Sequence, residues 1–255
     1  MDRKSLNRES LKAIFSNGNR PDANSFGSLI DSMMNKVEDG ISKSDEDGLI
    51  LAPELSESDR LISFFSKIED EVPAWSIELA QDGVEGLGIV ENISLKEKKD
   101  RLFFRKNGNV GIGTNSPITN LEVKGITGIE SRIGTYKIGT VAADGKWHDI
   151  LTNLNDCNAF EIVARAGGQK RAGKYALLHA LALTTYGNSR NRIRCTQAHY
   201  GWWWHKIALR WTGSTFNYRL QMRTRTNYGA GYNINYHITK LWDDSMISFF
   251  NSDDE

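Results

Sequence analysis

The chain has 255 residues, which is enough for one large domain or two small ones. Its charges are unevenly spread: residues 1–124 hold 16 Lys and Arg against 22 Asp and Glu, whereas residues 125–255 hold 16 against 10. This asymmetry predicts two units with different partners. No apolar run approaches about 18 residues and the N-terminus lacks the apolar core of a signal peptide, so we expect neither membrane insertion nor signal-dependent export.

Residues 1–40 predict two short helices that attach the chain to a partner. The first, over residues 5–17, has Ser5 or Asn7 as its cap and ends before Pro21. The second, over residues 24–38, follows a cap at Asp22 or Asn24 and repeats apolar residues at helical spacing: Phe26, Leu29, Ile30, Met33 and Val37. Such short helices bury too little apolar surface to be stable alone. We expect this stripe to contact sister chains or a larger assembly; the alternative is a helical hairpin packed on the C-terminal domain.

Residues 41–133 predict a β-rich segment. The apolar run at residues 49–51 is a strand or part of a linker, and alternating patterns predict strands at residues 61–66, 74–80, 87–93 and 101–106. Short strands of this kind leave unpaired edges in a single chain, and association of three chains would close them.

The stretch from Asn107 to Gly125 joins the acidic and basic halves of the chain. Its glycines, Gly108, Gly111 and Gly113, are followed by Pro117 and by a short apolar strand at residues 121–125. Glycine within a strand marks a bulge, a bend or the close approach of another backbone. We favour the close approach of other chains. A phosphate-binding loop is excluded because neither a helix nor a Lys-Ser/Thr pair follows.

This pattern, G-N-V-G-I-G-T-x-x-P followed by L-x-V-x-G, resembles a motif of phage tail fibres and related trimeric tail-fibre proteins. The resemblance covers about 19 residues and implies an intertwined trimeric shaft before a receptor-binding head or a self-cleaving chaperone domain. The flanks, LIDSMMNKVEDG and VAADGKWHDI with YNINYHITKLW, are similar to proteins encoded with bacterial contractile injection systems. That similarity implies a component of a tail-like particle.

Residues 134–243 predict an antiparallel β-sandwich, jelly-roll-like, after a glycine-containing connector at 126–135. Glycine-rich turns separate eight expected strands at 136–141, 147–152, 159–165, 174–186, 192–200, 204–211, 217–226 and 232–241. Residues 244–255 form an acidic tail.

The 174–186 strand has two unlike faces. Large residues, including Leu177, Leu181 and Leu183, lie on one face, and Ala176, Ala180 and Ala182 lie on the other with Leu178. The small face would let another sheet or chain come close. A helix is the competing assignment, because Ala and Leu favour helices.

No pattern predicts catalysis, a cofactor or a metal. The five histidines, at 148, 179, 199, 205 and 237, include no pair at H-x-H or H-x-x-x-H spacing. Carboxylates are too sparse after residue 134 for the pair that a glycosidase needs, and no G-x-S-x-G elbow is present. The two cysteines, Cys157 and Cys195, fit no zinc spacing, and we expect buried free thiols rather than a disulfide.

The richest candidate site is aromatic. On a strand, Trp202 and Trp204 would point one way and Trp203 the other, so at least one should be exposed. Exposed aromatic rings stack on sugars and also mark protein interfaces. We predict a ligand site formed by Tyr200, Trp202, Trp203, Trp204, Arg190 and Arg192. The alternative is that the tryptophans plug the end of the sandwich or the trimer axis.

Alternation also places Arg219, Arg223 and Arg225 on one face of their strand. An anionic cell-surface glycan or the acidic base of a sister subunit explains this face as well as nucleic acid does, and we do not expect nucleic acid. The alternative is a solvated strand face.

Together these observations predict a mainly β, homotrimeric, non-enzymatic fibre component of a phage tail or contractile injection particle. Residues 1–40 would attach it to baseplate or tail proteins, residues 41–133 would form the shaft, and the head would bind surface polysaccharide or stabilise the trimer. Such a protein would assemble in the cytoplasm and act in an extracellular particle. The main alternative is a lectin that works alone, and an enzyme that depolymerises surface polysaccharide is a third.

Overall fold

The computed structural model describes residues 6–33, 40–52, 59–81, 83–106, 108–187 and 191–245. The fold is mainly β, as predicted, with two short helices. The chain divides into two compact units, Met1–Thr127 and Gly128–Glu255.

Two capped helices open the first unit. Helix α1 spans Arg8–Ile14 and its cap, Asn7, accepts a hydrogen bond from the Ser10 amide. Helix α2 spans Ala23–Asp31 and Asp22 accepts from the Ser25 amide in the same way. Both caps are among the predicted ones, since Asn and Asp satisfy the free amides of a first turn. Ser5 lies outside the described residues.

Helix α2 is shorter than predicted. It ends at Asp31, where the Ser32 hydroxyl donates to the Ser28 carbonyl and accepts from the Leu6 amide. Serine side chains that bond the backbone in this way compete with helix continuation. Met33 therefore lies beyond the helix rather than on its stripe, and Val37 lies outside the described residues.

The described residues cover the apolar stripe of α2 only in part. Neither helix has a buried residue, and Phe26 and Ile30 are more than half exposed. The Phe26 ring meets Phe15 edge-on, with 5.3 Å between centroids, and Leu29 is half-buried.

A hairpin and a six-stranded sheet complete the first unit. The hairpin pairs β1, Ile41–Ser44, with β2, Gly48–Leu51. In the sheet, neighbours follow the chain order, and the last pair alone is parallel. The strands are β3 Arg60–Phe64, β4 Trp75–Gln81, β5 Val84–Asn92, β6 Lys98–Arg105, β7 Val110–Ile112 and β8 Leu121–Val123. The four strands predicted between 61 and 106 are confirmed, and β1 was missed.

One face of the six-stranded sheet is mainly apolar, although the register also places Glu91 on it, opposite Trp75. The register places thirteen apolar side chains on this face, and none of them is buried. We call them the apolar sheet face: Ile62, Phe64, Trp75, Ile77, Leu79, Leu87, Ile89, Leu102, Phe104, Val110, Ile112, Leu121 and Val123. The opposite face carries small and polar residues around the buried Val90 and Phe103.

Close contacts within the same chain explain two of the glycines. A Cβ at Gly86 would lie 2.5 Å from the Phe103 ring, and one at Gly111 would lie 2.1 Å from the Thr114 carbonyl oxygen. Gly108 and Gly113 have φ of 93° and 74°, which favours glycine. The turn of the chain itself thus accounts for these glycines, and the close approach of sister chains stays a prediction.

Pro117 secures that turn. It is buried, and its carbonyl accepts a hydrogen bond of 3.1 Å from the Asn109 side chain. The motif thus closes the sheet by placing β8 parallel to β7.

The second unit is a β-sandwich. Its larger sheet has the order β13-β12-β11-β16-β9 and its smaller sheet the order β10-β15-β14. The strands are β9 Lys137–Ala142, β10 His148–Leu154, β11 Cys157–Gly167, β12 Tyr175–Thr185, β13 Arg192–Tyr200, β14 Ile207–Ser214, β15 Asn217–Thr224 and β16 Asn233–Asp243. All eight predicted strands are present, with bounds shifted by at most three residues. The jelly-roll-like order is not confirmed, because β11, β12 and β13 follow one another within one sheet.

Both sheets contribute to one buried core. It includes Phe160 and Ile162 of β11, Leu220 and Met222 of β15, and the inward residues of β12. In β12 the alanines and Leu178 point inward, and Leu177, Leu181 and Leu183 point outward. The strand assignment is confirmed, and its small face lies against the other sheet, as the alternation suggested.

Both cysteines are free, as predicted, but the prediction that both are buried is wrong. Cys157 is half-buried and Cys195 is exposed. Cys195 lies on β13, at the edge of the five-stranded sheet, and the opposing sheet has three strands. The narrower sheet leaves the edge strand incompletely covered.

Candidate functional site

The predicted tryptophan cluster forms a tight turn between β13 and β14. We call residues 200–205 the aromatic turn. At Gly201 the backbone has φ of +87°, and a Cβ there would lie 2.5 Å from the Gly173 carbonyl oxygen. Only glycine fits both conditions without strain. The prediction that Trp202 to Trp204 alternate along a strand is therefore wrong, because β14 begins only at Ile207.

The buried side chain of His205 holds the aromatic turn in place. Its side chain is 6% exposed, and Nδ1 lies 3.0 Å from the Gly173 carbonyl oxygen and 3.3 Å from the Trp202 amide nitrogen. With either tautomer the ring therefore ties the turn to its surroundings. Tyr228 meets His205 edge-on at 6.3 Å, and burial raises the pKa of Tyr228 to about 12. His205 has a structural role here.

The tryptophan rings are arranged as a platform. Trp202 stacks on Trp204, with 5.0 Å between centroids and 4° between planes, and Trp203 meets Trp204 edge-on at 5.5 Å. Tyr200, Trp202 and Trp203 are 69%, 65% and 62% exposed. The prediction that at least one ring is exposed is confirmed. Rings presented in this way can stack on sugars or on another protein.

A groove of about 340 Å³ adjoins the turn at Tyr200. It lies at the ends of β11, β12 and β13, and its lining includes Arg165, Tyr175, Leu177 and Ala198. The groove brings a guanidinium close to apolar and aromatic side chains. This is the combination that a sugar ring with polar substituents requires.

Arg192 does not join this site. Arg192 begins β13, whereas Tyr200 ends it, so about 26 Å of strand separates them. Arg192 instead lines a second groove, of about 370 Å³, with Leu183, Thr185 and Trp242. Arg190 lies outside the described residues. The prediction that Arg192 lies beside the tryptophans is wrong, because β13 is fully extended.

The prediction is confirmed for Arg219 and Arg223, which share the outer side of β15. Arg225 lies just beyond the end of that strand. Sequence analysis missed two neighbours, Arg210 of β14 and Trp147, which precedes β10. Both guanidinium carbons of Arg210 and Arg223 lie over the Trp147 ring, at 4.3 and 4.4 Å from its centroid. The alternating pattern of β14 could have shown on which face of the sheet Arg210 lies. The residues beside it depend on the strand register, which that pattern does not give. We call Trp147, Asp149, Arg210, Arg219, Gln221, Arg223 and Arg225 the basic face.

No protein-family model matches the chain, and a search of curated proteins finds no significant match. In the described part of the chain, no group of three or more His, Cys, Asp and Glu side chains is placed to hold a metal ion. No helix among those residues is long and apolar enough to cross a membrane.

Proposed function

We propose that this protein is a non-enzymatic, homotrimeric fibre component of a phage tail or contractile injection particle. The observation that supports this proposal best is the uncovered apolar sheet face. A sheet with one apolar face needs a second layer to bury it, and exposed apolar surfaces of this kind mark interfaces. Three copies with these faces turned toward a common axis would supply that layer.

The resemblance of residues 107–125 to the tail-fibre motif supports a trimeric state and a place in a phage tail or contractile injection particle. The uncovered stripe of Phe26 and Ile30 supports attachment through the N-terminal helices. At the other end of the chain, the aromatic turn and its groove support binding of a cell-surface glycan by the head.

A charge placed on the apolar sheet face tests the assembly. In the double variant Leu87→Lys/Ile112→Lys, two ammonium groups would be buried at the proposed interface, which is strongly unfavourable. We expect the wild type to sediment as a trimer at micromolar concentration and the variant to lose the trimer. Leu181→Lys is a matched control, because Leu181 is 39% exposed and Leu87 is 37% exposed. A monomeric wild type, or a variant that stays trimeric, contradicts the proposal.

The exposed Tyr200, Trp202 and Trp203 favour a second candidate function, that of a lectin which works alone. The full-length double variant Phe26→Asp/Ile30→Asp separates the two. A particle component with this change should no longer be incorporated into its particle, whereas a free lectin has no particle to lose and keeps its glycan binding.

A further inference from the structure

The basic face lies on the outer side of the three-stranded sheet. The register of β14 and β15 places Arg219 opposite Thr212, Gln221 opposite Arg210, and Arg223 opposite Ala208. Two of the arginines thus stand beside small side chains.

Trp147 orders two of these arginines. The guanidinium groups of Arg210 and Arg223 both stack on its ring, and Arg210 also donates to the Gln221 side chain at 2.8 Å. Stacking uses the flat surface of a guanidinium and leaves N–H groups at its edge. The two forks are therefore held in place before any ligand arrives, which reduces the entropy lost on binding.

Asp149 is the only acidic residue of β10, β14 and β15. It accepts hydrogen bonds from Gln221 at 2.7 Å and Arg219 at 3.3 Å. The face therefore offers several fork-shaped donors and one carboxylate acceptor. A ligand that fits both must carry anionic groups together with hydroxyl donors.

We propose that the basic face binds a carboxylate-bearing polysaccharide. Arginine forks pair with planar carboxylates through two parallel hydrogen bonds, and the Asp149 and Gln221 oxygens accept from sugar hydroxyls. Nucleic acid fits less well, because guanidinium groups already occupy the Trp147 ring on which a base would stack. The proposal adds a second site, separate in sequence from the aromatic turn, to the glycan binding proposed above. It does not depend on the trimer.

Calorimetric titration of the full-length protein with polygalacturonate, with dextran as the neutral polymer, tests the proposal. At about 0.15 M salt the wild type should bind polygalacturonate and not dextran, and binding should fall at about 1 M salt. Arg210→Gln/Arg223→Gln should weaken binding about 10- to 100-fold, since hydrogen bonds to charged groups are lost. Arg210→Lys/Arg223→Lys keeps the charge but removes the fork, and it should also weaken binding several-fold.

Matched variants separate this face from others. Arg192→Gln/Arg194→Gln removes two positive charges from the other sheet and should leave binding unchanged. Arg219 does not stack on Trp147, so Arg219→Gln should weaken polygalacturonate binding without disturbing the stacked arginines. It keeps the test valid if the Arg210 and Arg223 variants fail to fold. Sedimentation of each variant shows whether the trimer is present, so a failure of the trimer and a failure of this site are distinguishable.

Several results would overturn the proposal. No binding of polygalacturonate, or equal losses in the Arg192 and Arg194 control, would mean that this face is not a specific site. If Arg210→Lys/Arg223→Lys bound polygalacturonate as well as the wild type does, positive charge alone would explain the binding. Tighter binding of polyglutamate or of a single-stranded oligonucleotide would assign the face to an acidic protein or to nucleic acid.

Discussion

Glu78 is the most enclosed charge that the structure describes in the six-stranded sheet. Its side chain is 5% exposed, and its carboxylate accepts hydrogen bonds from Ser76, Arg60 and Lys98 at 2.6, 3.1 and 3.2 Å. Burial alone would raise the pKa of this carboxyl. The hydrogen bonds from Ser76 and Lys98, the charge of Lys98 and the hydrogen bond from Arg60 outweigh burial, so the pKa lies below its ordinary value of 4.5.

This shift predicts acid sensitivity. A carboxyl whose pKa is lower in the folded state stabilises the fold above its unfolded pKa, and this stabilisation is lost as the pH falls through the folded value. We expect the free energy of unfolding of the sheet to decrease below about pH 5. Glu78→Gln should cost about 1–3 kcal/mol at neutral pH and flatten this decrease, as urea unfolding at several pH values would show.

Glu85→Gln is the control, because Glu85 forms an exposed ion pair with Lys106 and should change stability by less than about 1 kcal/mol. Full acid sensitivity in Glu78→Gln would assign the effect to other groups.

The aromatic turn shows what residue patterns do and do not predict. Three consecutive large rings cannot all be buried, so exposure followed from the sequence. The turn itself did not follow, because the close approach at Gly201 comes from Gly173, which lies 28 positions earlier. For the same reason Arg192 was placed wrongly: the distance between two loops depends on the strand that joins them.

Among the elements, β12 gives the sharpest test of the sandwich. Leu178 points into the core and is fully buried, whereas Leu181 points outward on the same strand. Leu178→Ala should cost about 2–5 kcal/mol, since it leaves a cavity, and Leu181→Ala should cost less than about 1 kcal/mol. Urea unfolding of the two variants measures the difference. Equal costs would mean that the outer leucines are covered in the assembled protein.

Alternation and turn residues were enough to locate all eight strands of this unit. They could not give the order of the strands, because the pairs β10–β15 and β11–β16 join segments some 70 residues apart. In the first unit, local patterns located β3 to β6 but predicted too long a helix α2. The hydrogen bonds of the Ser32 hydroxyl at the end of that helix cannot be read from the sequence.

At the scale of the whole molecule, the two units differ in how they are stabilised. The buried core of the sandwich extends from Ala143 to Ile238 and lies wholly within the second unit. Among the described residues of the first unit, few apolar side chains are buried, and they include Val90, Phe103 and Pro117. The first unit therefore depends more on what covers its apolar sheet face.

We expect two thermal transitions that respond differently to concentration. Association stabilises only the unit that associates, so raising the protein from about 1 to about 100 µM should shift the transition of the sheet upward. The transition of the sandwich should stay in place. Differential scanning calorimetry at several concentrations measures both, and the Leu87→Lys/Ile112→Lys variant should abolish the dependence. A single transition that ignores concentration would contradict this prediction.

The apolar sheet face also has a consequence for biosynthesis. The six-stranded sheet precedes the sandwich in the chain. It therefore emerges from the ribosome before the sandwich, which has its own buried core, has been made. Nascent chains with uncovered apolar surface aggregate or bind chaperones. The yield of assembled protein in a foreign host should therefore depend on how soon nascent chains on the same messenger RNA contact each other. Slow translation by closely spaced ribosomes should favour assembly over inclusion bodies.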